Sequence, residues 1–140
     1  MIRGHVPAPP APADHGDTRS VVLRLYTVVI DATDPRALAR WWAEALGWQI
    51  LHDGAEEVVV AKDDDSYPAL IFVPVGEPKI VKNRVHLDLA PDDRDREVSR
   101  LEAMGARRVD VGQGPQSTWV VLADPEGNEF CVLSSRDGGL

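Results

Sequence analysis

The sequence predicts an α+β fold made of two β-α-β-β-β units that follow one another along the chain. A β-branched segment and then an amphipathic helical segment occur twice. The first helical segment ends in Glu-Ala-Leu-Gly at residues 44–47, and the second ends in Glu-Ala-Met-Gly at residues 102–105, which is 58 residues later. Three strand-like segments follow each helix. These observations indicate an internal repeat; a ferredoxin-like β-α-β-β-α-β domain, which has fewer strands after each helix, is the alternative.

The first unit begins with a β-branched strand at residues 21–30. Asp34 and Pro35 then form an N-cap with proline at the first helical position, and Gly47 ends the helix. Between them, apolar residues recur at helical spacing: Leu38, Trp41, Trp42, Ala45 and Leu46. Strands follow at residues 48–51, 58–61 and 69–75, and Asp53-Gly54 suits a tight hairpin between the first two.

The second unit begins after a connector at residues 76–83, which contains Gly, Pro and two lysines. A strand at residues 84–90 leads into a helix that Pro91, Asp92 and Asp93 open. This helix carries the apolar residues Val98, Leu101 and Met104. Strands at residues 107–111, 119–122 and 129–133 complete the unit, with a turn at residues 124–128 before the last.

Length and composition define the class of protein. A chain of 140 residues suits one compact body, here a domain at residues 21–135 with modules at 21–75 and 84–135. Residues 1–20 are rich in Pro and Ala and lack an apolar signal-peptide core, so they are predicted to form a flexible extension. Residues 136–140 form a short C-terminal tail.

Charge and cysteine content exclude several functions. The net charge of −8 disfavours nucleic acid as a partner, and no apolar run approaches the roughly 20 residues that span a bilayer. Cys131 is the only cysteine, which excludes an intrachain disulfide and a multi-thiolate metal site and fits a reducing compartment. We therefore expect a cytoplasmic protein.

Strand alternation separates polar from apolar faces. In residues 84–90 it places Arg84, His86 and Asp88 on one face, opposite an apolar set expected to pack on the helices: Val85, Leu87 and Leu89. In the last strand Glu129, Cys131 and Leu133 share a face, opposite Phe130 and Val132. In the first strand the same rule places Leu25, Thr27 and Val29 opposite Tyr26, Val28 and Ile30.

Three stretches resemble a known family. They are Asp-Pro at 34–35 with Leu-Gly-Trp at 46–48, then Lys-Asn-Arg-Val-His-Leu-Asp-Leu at 82–89, and Asp-Pro-Glu-Gly-Asn-Glu-Phe-Cys-Val-Leu at 124–133. Over residues 21–135 the chain resembles the glyoxalase and bleomycin-resistance proteins of the vicinal oxygen chelate superfamily. The resemblance implies two βαβββ modules that form a cup-shaped, half-open barrel, often in a homodimer. Symmetric pairing would also cover open sheet edges, and we expect a homodimer.

The resemblance also implies where a metal would bind. Enzymes of this superfamily hold a divalent metal with four His, Gln or Glu side chains, so that it stabilises a developing enolate. The four positions fall here on Thr27, His86, Cys131 and a residue near Phe72. Since most of these are unsuitable ligands, no metal cofactor is expected. If one binds, His86 would ligate it together with Cys131 or Glu129.

The candidate ligand-binding residues are Thr27, Arg84, His86, Asp88, Trp119, Glu129 and Cys131. His86 is also the candidate catalytic base, although a strand histidine bonded to a backbone carbonyl is an equally simple interpretation. Arg84 and Lys82 either bind an anionic ligand or simply project into solvent. Cys131 is either a small buried apolar residue or a reactive thiolate. Two functions stay open: metal-independent binding of a small molecule, or a lyase, isomerase or dioxygenase-type enzyme that uses a metal or His86.

Overall fold

A computed structural model describes residues 23–110, 112, 114 and 117–135. The predicted extension at residues 1–20 and the predicted tail at 136–140 lie outside the described residues. The chain divides into two compact units, Met1–Gly76 and Glu77–Leu140, so that the division falls within the predicted connector. No helix in the described part of the chain is long and apolar enough to cross a membrane.

The first unit contains β1 (Thr27–Ala32), α1 (Pro35–Leu46), β2 (Gln49–Asp53), β3 (Val58–Ala61) and β4 (Ala69–Pro74). Its sheet has the order β1-β4-β3-β2, in which β1 is parallel to β4 and the other pairs are antiparallel. The helix contacts all four strands and buries one apolar side: Leu38, Ala39, Trp41, Trp42 and Ala43.

Both ends of α1 lie where the sequence predicts them. The Asp34 carboxylate accepts a hydrogen bond from the Ala37 amide, and Pro35 occupies the first helical position. At the other end Gly47 adopts the left-handed conformation at φ 67°, and its amide donates to carbonyls of the last turn. Because these signals act over a few residues, they set where the helix begins and ends, while packing of its apolar side on the sheet stabilises it.

The second unit repeats this order with β5 (Leu87–Leu89), α2 (Arg94–Ala103), β6 (Arg107–Arg108), β7 (Val120–Ala123) and β8 (Glu129–Val132). Its sheet has the order β5-β8-β7-β6, again with the first strand parallel to the last. Asp93 caps the start of α2, and Val98 and Leu101 are buried. The predicted pair of βαβββ units is confirmed, and the ferredoxin-like alternative is wrong.

The first strand of each unit is shorter than predicted, and the start of the strand that it pairs with explains the difference. β1 begins at Thr27 rather than at residue 21, because Thr27 pairs with Ala69, the first residue of β4. β5 covers residues 87–89 rather than 84–90, because its partner β8 begins at Glu129. A longer β5 would have to pair with the tight turn that precedes β8. Val85, predicted to pack on a helix, is consequently 75% exposed.

Smaller corrections concern the other strands. β2 runs from residue 49 to 53 rather than 48–51, β6 has two residues, and β7 begins at Val120 rather than Trp119. The predicted tight turn at Asp53-Gly54 is wrong, since Asp53 still pairs with Val58 and a loop of residues 54–57 joins the strands. That loop is closed by the Gly54 amide, which donates to the Glu57 carbonyl at 3.0 Å.

The predicted turn at residues 124–128 is held by a buried carboxylate. Asp124 is 1% exposed, and its Oδ1 accepts hydrogen bonds from the backbone amides of Glu126 and Asn128 at 2.9 and 3.0 Å. The Asn128 side-chain amide donates to the same carboxylate. Gly127 takes a positive φ of 88° and donates to the Asp124 carbonyl. This network fixes the start of β8.

Candidate functional site

Parallel pairing of β5 with β8 brings the predicted polar residues of the second unit together. Asp88 lies opposite Cys131 in the register, and opposite residues in neighbouring strands point to the same face of a sheet. His86 lies one residue before β5, with its Nδ1 atom 3.8 Å from Cys131 Sγ. The predicted proximity of His86 and Cys131 therefore holds, although His86 is outside the strand.

Cys131 is a protonated thiol rather than a thiolate. Burial raises its pKa to about 11, and the negative charge of Asp88 and a hydrogen bond to Asp88 act in the same direction, against a smaller opposing effect of Lys82. The thiol is 7% exposed. Because thiolate is the nucleophilic form, Cys131 is a poor nucleophile at neutral pH.

Both ring nitrogens of His86 have partners. Nε2 lies 3.3 Å from the Lys82 ammonium, which can only donate, so Nε2 accepts and the proton of the neutral ring resides on Nδ1. Nδ1 then donates to Cys131 Sγ, and Asp88 lies opposite Cys131 in the register of β5 and β8. This assignment of protons follows from the partners of each group. Lys82, His86 and Cys131 thus form one directional hydrogen-bond chain with Asp88 opposite its last member, and we name these four residues the His86 cluster.

Glu129 binds the connector instead of joining this cluster. Its carboxylate forms an ion pair with Lys79 Nζ at 3.0 Å and accepts from the Asn83 amide at 3.0 Å. The Asn83 side chain also donates to the Glu129 carbonyl. Burial of Glu129 opposes ionisation, but these hydrogen bonds outweigh it, and the pKa of the carboxyl lies below its ordinary value of 4.5. These contacts hold the connector against the start of β8.

The contacts of the Glu129 carboxylate make the free energy of unfolding depend on pH in the acidic range. Because the folded pKa of Glu129 is lowered, its contribution is complete above pH 4.5 and is lost as the pH falls through the folded pKa. Glu129→Gln is expected to lower the free energy of unfolding by about 1–2 kcal/mol at pH 7 and by less at pH 3. Urea unfolding at both pH values measures this. Glu77→Gln, at an exposed position, is the control, and an equal deficit of the Glu129 variant at both pH values would contradict the prediction.

The other predicted site residues take no part in the His86 cluster. Within the described residues, Arg84 has no ion pair or hydrogen bond, and Trp119 precedes β7 with 39% of its surface exposed. Thr27 belongs to the first unit, where it begins β1. Lys79 and Asn83 were not predicted as site residues, and neither was Lys82 as a partner of His86. All three lie in a loop, where no periodicity predicts side-chain direction.

The first unit carries apolar residues at the equivalent positions. Val29 pairs with Ile71, and Phe72 pairs with Ile30 on the other face. When the strands of the two units are matched so that Thr27 corresponds to His86, Ile71 corresponds to Cys131. Ile71 is one residue from Phe72, near which the family resemblance places the fourth metal-ligand position. Ile71 is fully buried. An aliphatic side chain offers no donor atom, so this position cannot bind a metal or a polar group.

Comparison with known proteins places the chain in a family. A family model described as a glyoxalase-like domain matches residues 27–133. The chain belongs to this glyoxalase-like domain family. No curated protein sequence matches it.

Solved structures share this glyoxalase-like fold. Oxidase ChaP-H1 is 25% identical and has a TM-score of 0.59, with 84% of this chain and 100% of that chain covered. A glyoxalase/bleomycin resistance protein/dioxygenase family enzyme from Burkholderia phytofirmans PsJN is 20% identical, with a TM-score of 0.62 and coverage of 79% and 97%. TnmS3, an antibiotic binding protein from Streptomyces sp. CB03234, is 20% identical, with a TM-score of 0.58 and coverage of 84% and 100%.

The residues of this glyoxalase-like chain do not fit the divalent metal that the superfamily resemblance implies. Glu129 is paired with Lys79, His86 Nε2 already accepts from Lys82, and the position of Ile71 has no donor atom. Within the described residues, no group of three or more His, Cys, Asp or Glu side chains is arranged to hold a metal ion. A stable site needs more ligands than His86 alone supplies.

Proposed function

We propose that this glyoxalase-like protein binds a small molecule at the His86 cluster and that binding requires no metal. The observation that carries the proposal is the hydrogen-bond chain from Lys82 through His86 to Cys131, with Asp88 opposite Cys131 in the neighbouring strand. The hydrogen bonds fix the orientation of the His86 ring. The exposed groups at the two ends of the cluster, Lys82 and Asp88, keep free donors and acceptors. A rigid polar group of this kind suits the orientation of a ligand.

The hydrogen bond between Lys82 and His86 argues against catalysis by His86. A general base needs a free lone pair within reach of the substrate proton, whereas Nε2 of His86 already accepts from Lys82. Cys131 does not supply a nucleophile while it is protonated. Proteins of similar fold include both the antibiotic binding protein TnmS3 and the oxidase ChaP-H1, and the paired state of His86 favours the binding role here.

The free hydrogen-bonding capacity lies at the two ends of the cluster. Lys82 and Asp88 are both exposed, so that an ammonium donor and a carboxylate acceptor face solvent on either side of the half-buried ring. Trp119 offers an exposed aromatic surface for stacking, and its participation is part of the proposal. Homodimer formation and the absence of a nucleic-acid partner stay predictions.

Replacing His86 with alanine is expected to weaken ligand binding by about 1–3 kcal/mol, because the ring that accepts from Lys82 and holds its ammonium at the site is then lost. A thermal-shift screen of small metabolites identifies ligands, and calorimetry measures their affinity for wild type and variant. Metal-stripped protein should bind as tightly as metal-supplemented protein, because no bond to a cation contributes.

Cys131→Ser is the matched control, since serine keeps an acceptor for His86 and a donor for Asp88. It should change affinity little. Zinc, nickel or iron that remains at nearly one equivalent after dialysis, and that disappears in the His86 variant, would show that the site is a metal centre and would refute metal-free binding.

A further inference from the structure

We infer that the ligand of the His86 cluster carries an anionic oxygen group, such as a carboxylate or a phenolate, which the ammonium of Lys82 binds. This inference rests on the proposed binding function and adds the charge class of the ligand. Under this inference Lys82 determines the preference of the site for anionic over neutral ligands. Lys79, the other lysine of the connector, differs from Lys82 in its surroundings.

The two lysines differ in how their charge is compensated. Lys79 forms an ion pair with Glu129 at 3.0 Å, and its side chain is only 19% exposed. Lys82 contacts the Asn83 carbonyl at 3.4 Å and His86 Nε2 at 3.3 Å. Among the described residues, no carboxylate lies within ion-pair distance of Lys82. Both contacts are uncharged acceptors, so the positive charge of Lys82 is not neutralised.

Lys82 is also held in place at the cluster. Its two acceptors belong to the connector and to His86, and the connector is itself held by the contacts of Lys79 and Asn83 with Glu129. An ammonium has three donors, and the two contacts leave one free. A long side chain that is already ordered loses less entropy when it binds a ligand than a freely rotating one.

The local charge favours an anion although the protein as a whole is acidic. The net charge of the chain is −8, yet the Lys79–Glu129 pair is neutral and leaves Lys82 and Arg84 as cations on the segment before β5. Arg84 has no ion pair within the described part of the chain. Asp88 lies opposite Cys131 at the other end of the cluster and, within the described residues, forms no ion pair with Lys82. A charged oxygen is the group that an uncompensated ammonium binds most strongly.

Two pairs of probes that are similar in shape and differ in charge test the inference: acetate with acetamide, and benzoate with benzamide. Titrations of the full chain followed by NMR give the affinities, and the side-chain nitrogen signals of His86 report on the site. We expect at least one anion to bind about tenfold more tightly than its neutral amide and to shift the His86 Nε2 signal. Lys82→Met should remove that preference, and Lys82→Arg should keep it.

Lys62→Met changes the net charge by the same amount at an exposed position of the first unit, and it should keep the preference for the anion. Equal affinity for anions and amides, no binding of either anion, or a preference that survives Lys82→Met would overturn the inference. These results differ from failure of the proposed function, which would appear as unchanged affinity of screened metabolites for the His86→Ala variant.

Discussion

Replacing Asp124 with alanine is expected to lower the free energy of unfolding by about 3 kcal/mol. The carboxylate is 1% exposed and accepts from the backbone amides of Glu126 and Asn128 and from the Asn128 side chain. Alanine would leave these donors without a partner, and each unsatisfied donor costs about 1–3 kcal/mol where water cannot replace the carboxylate. Urea unfolding at pH 7 measures the loss.

Asp124→Asn is the matched control, because its side-chain oxygen can still accept from the two backbone amides. It should lose clearly less stability than the alanine variant. Equal losses would show that the negative charge, rather than the accepted hydrogen bonds, stabilises the turn. A loss below about 1 kcal/mol for alanine would show that water reaches the turn and replaces the carboxylate.

The second large effect concerns the reactivity of Cys131. With a pKa of about 11 instead of an ordinary 9.0, the thiolate fraction at pH 8 falls by about 100-fold. Alkylation by iodoacetamide in the folded protein should therefore be at least about 100-fold slower than in urea. Mass spectrometry follows the rate without ambiguity, because Cys131 is the only cysteine in the sequence. The rate should keep rising up to about pH 11.

Asp88→Asn separates the causes of this shift. It removes a negative charge beside the thiol, so the pKa of Cys131 should fall and alkylation should become faster. Burial is the largest cause and persists in the variant, so the rate should stay below that of the unfolded chain. A folded-state rate that levels off near pH 9 would contradict both the raised pKa and the protonated thiol of the proposed cluster.

Local signals in the sequence predicted the helices well. Asp34, Pro35 and Gly47 determine α1 through contacts that span at most four residues, and the repeated helix ends predicted the two units. Strand lengths were less predictable because they depend on partners that are distant in sequence. Residues 84–86 have the alternation of a strand, yet they lie outside β5, and an extended register would place residues 84 and 85 opposite the turn that precedes Glu129.

The difference between local signals and contacts with distant residues also decides how much of the site was predictable. The closeness of His86 and Cys131 was predictable only through the family resemblance, which places both residues at positions that bind the metal in metal-dependent relatives. The contacts of Lys82 with His86, and of Lys79 and Asn83 with Glu129, join a loop to distant residues. Loop side chains have no fixed period, so neither composition nor spacing predicted that one lysine would be neutralised and the other not.

The parallel pairing of first and last strands has a consequence for synthesis on the ribosome. Among the described strands of each unit, the strand made first pairs with the strand made last, β1 with β4 and β5 with β8. The helix and the antiparallel hairpin between them can form from neighbouring residues, but the first strand must wait until the whole unit has emerged. His86 and Cys131 therefore meet only when the second unit is almost completely translated.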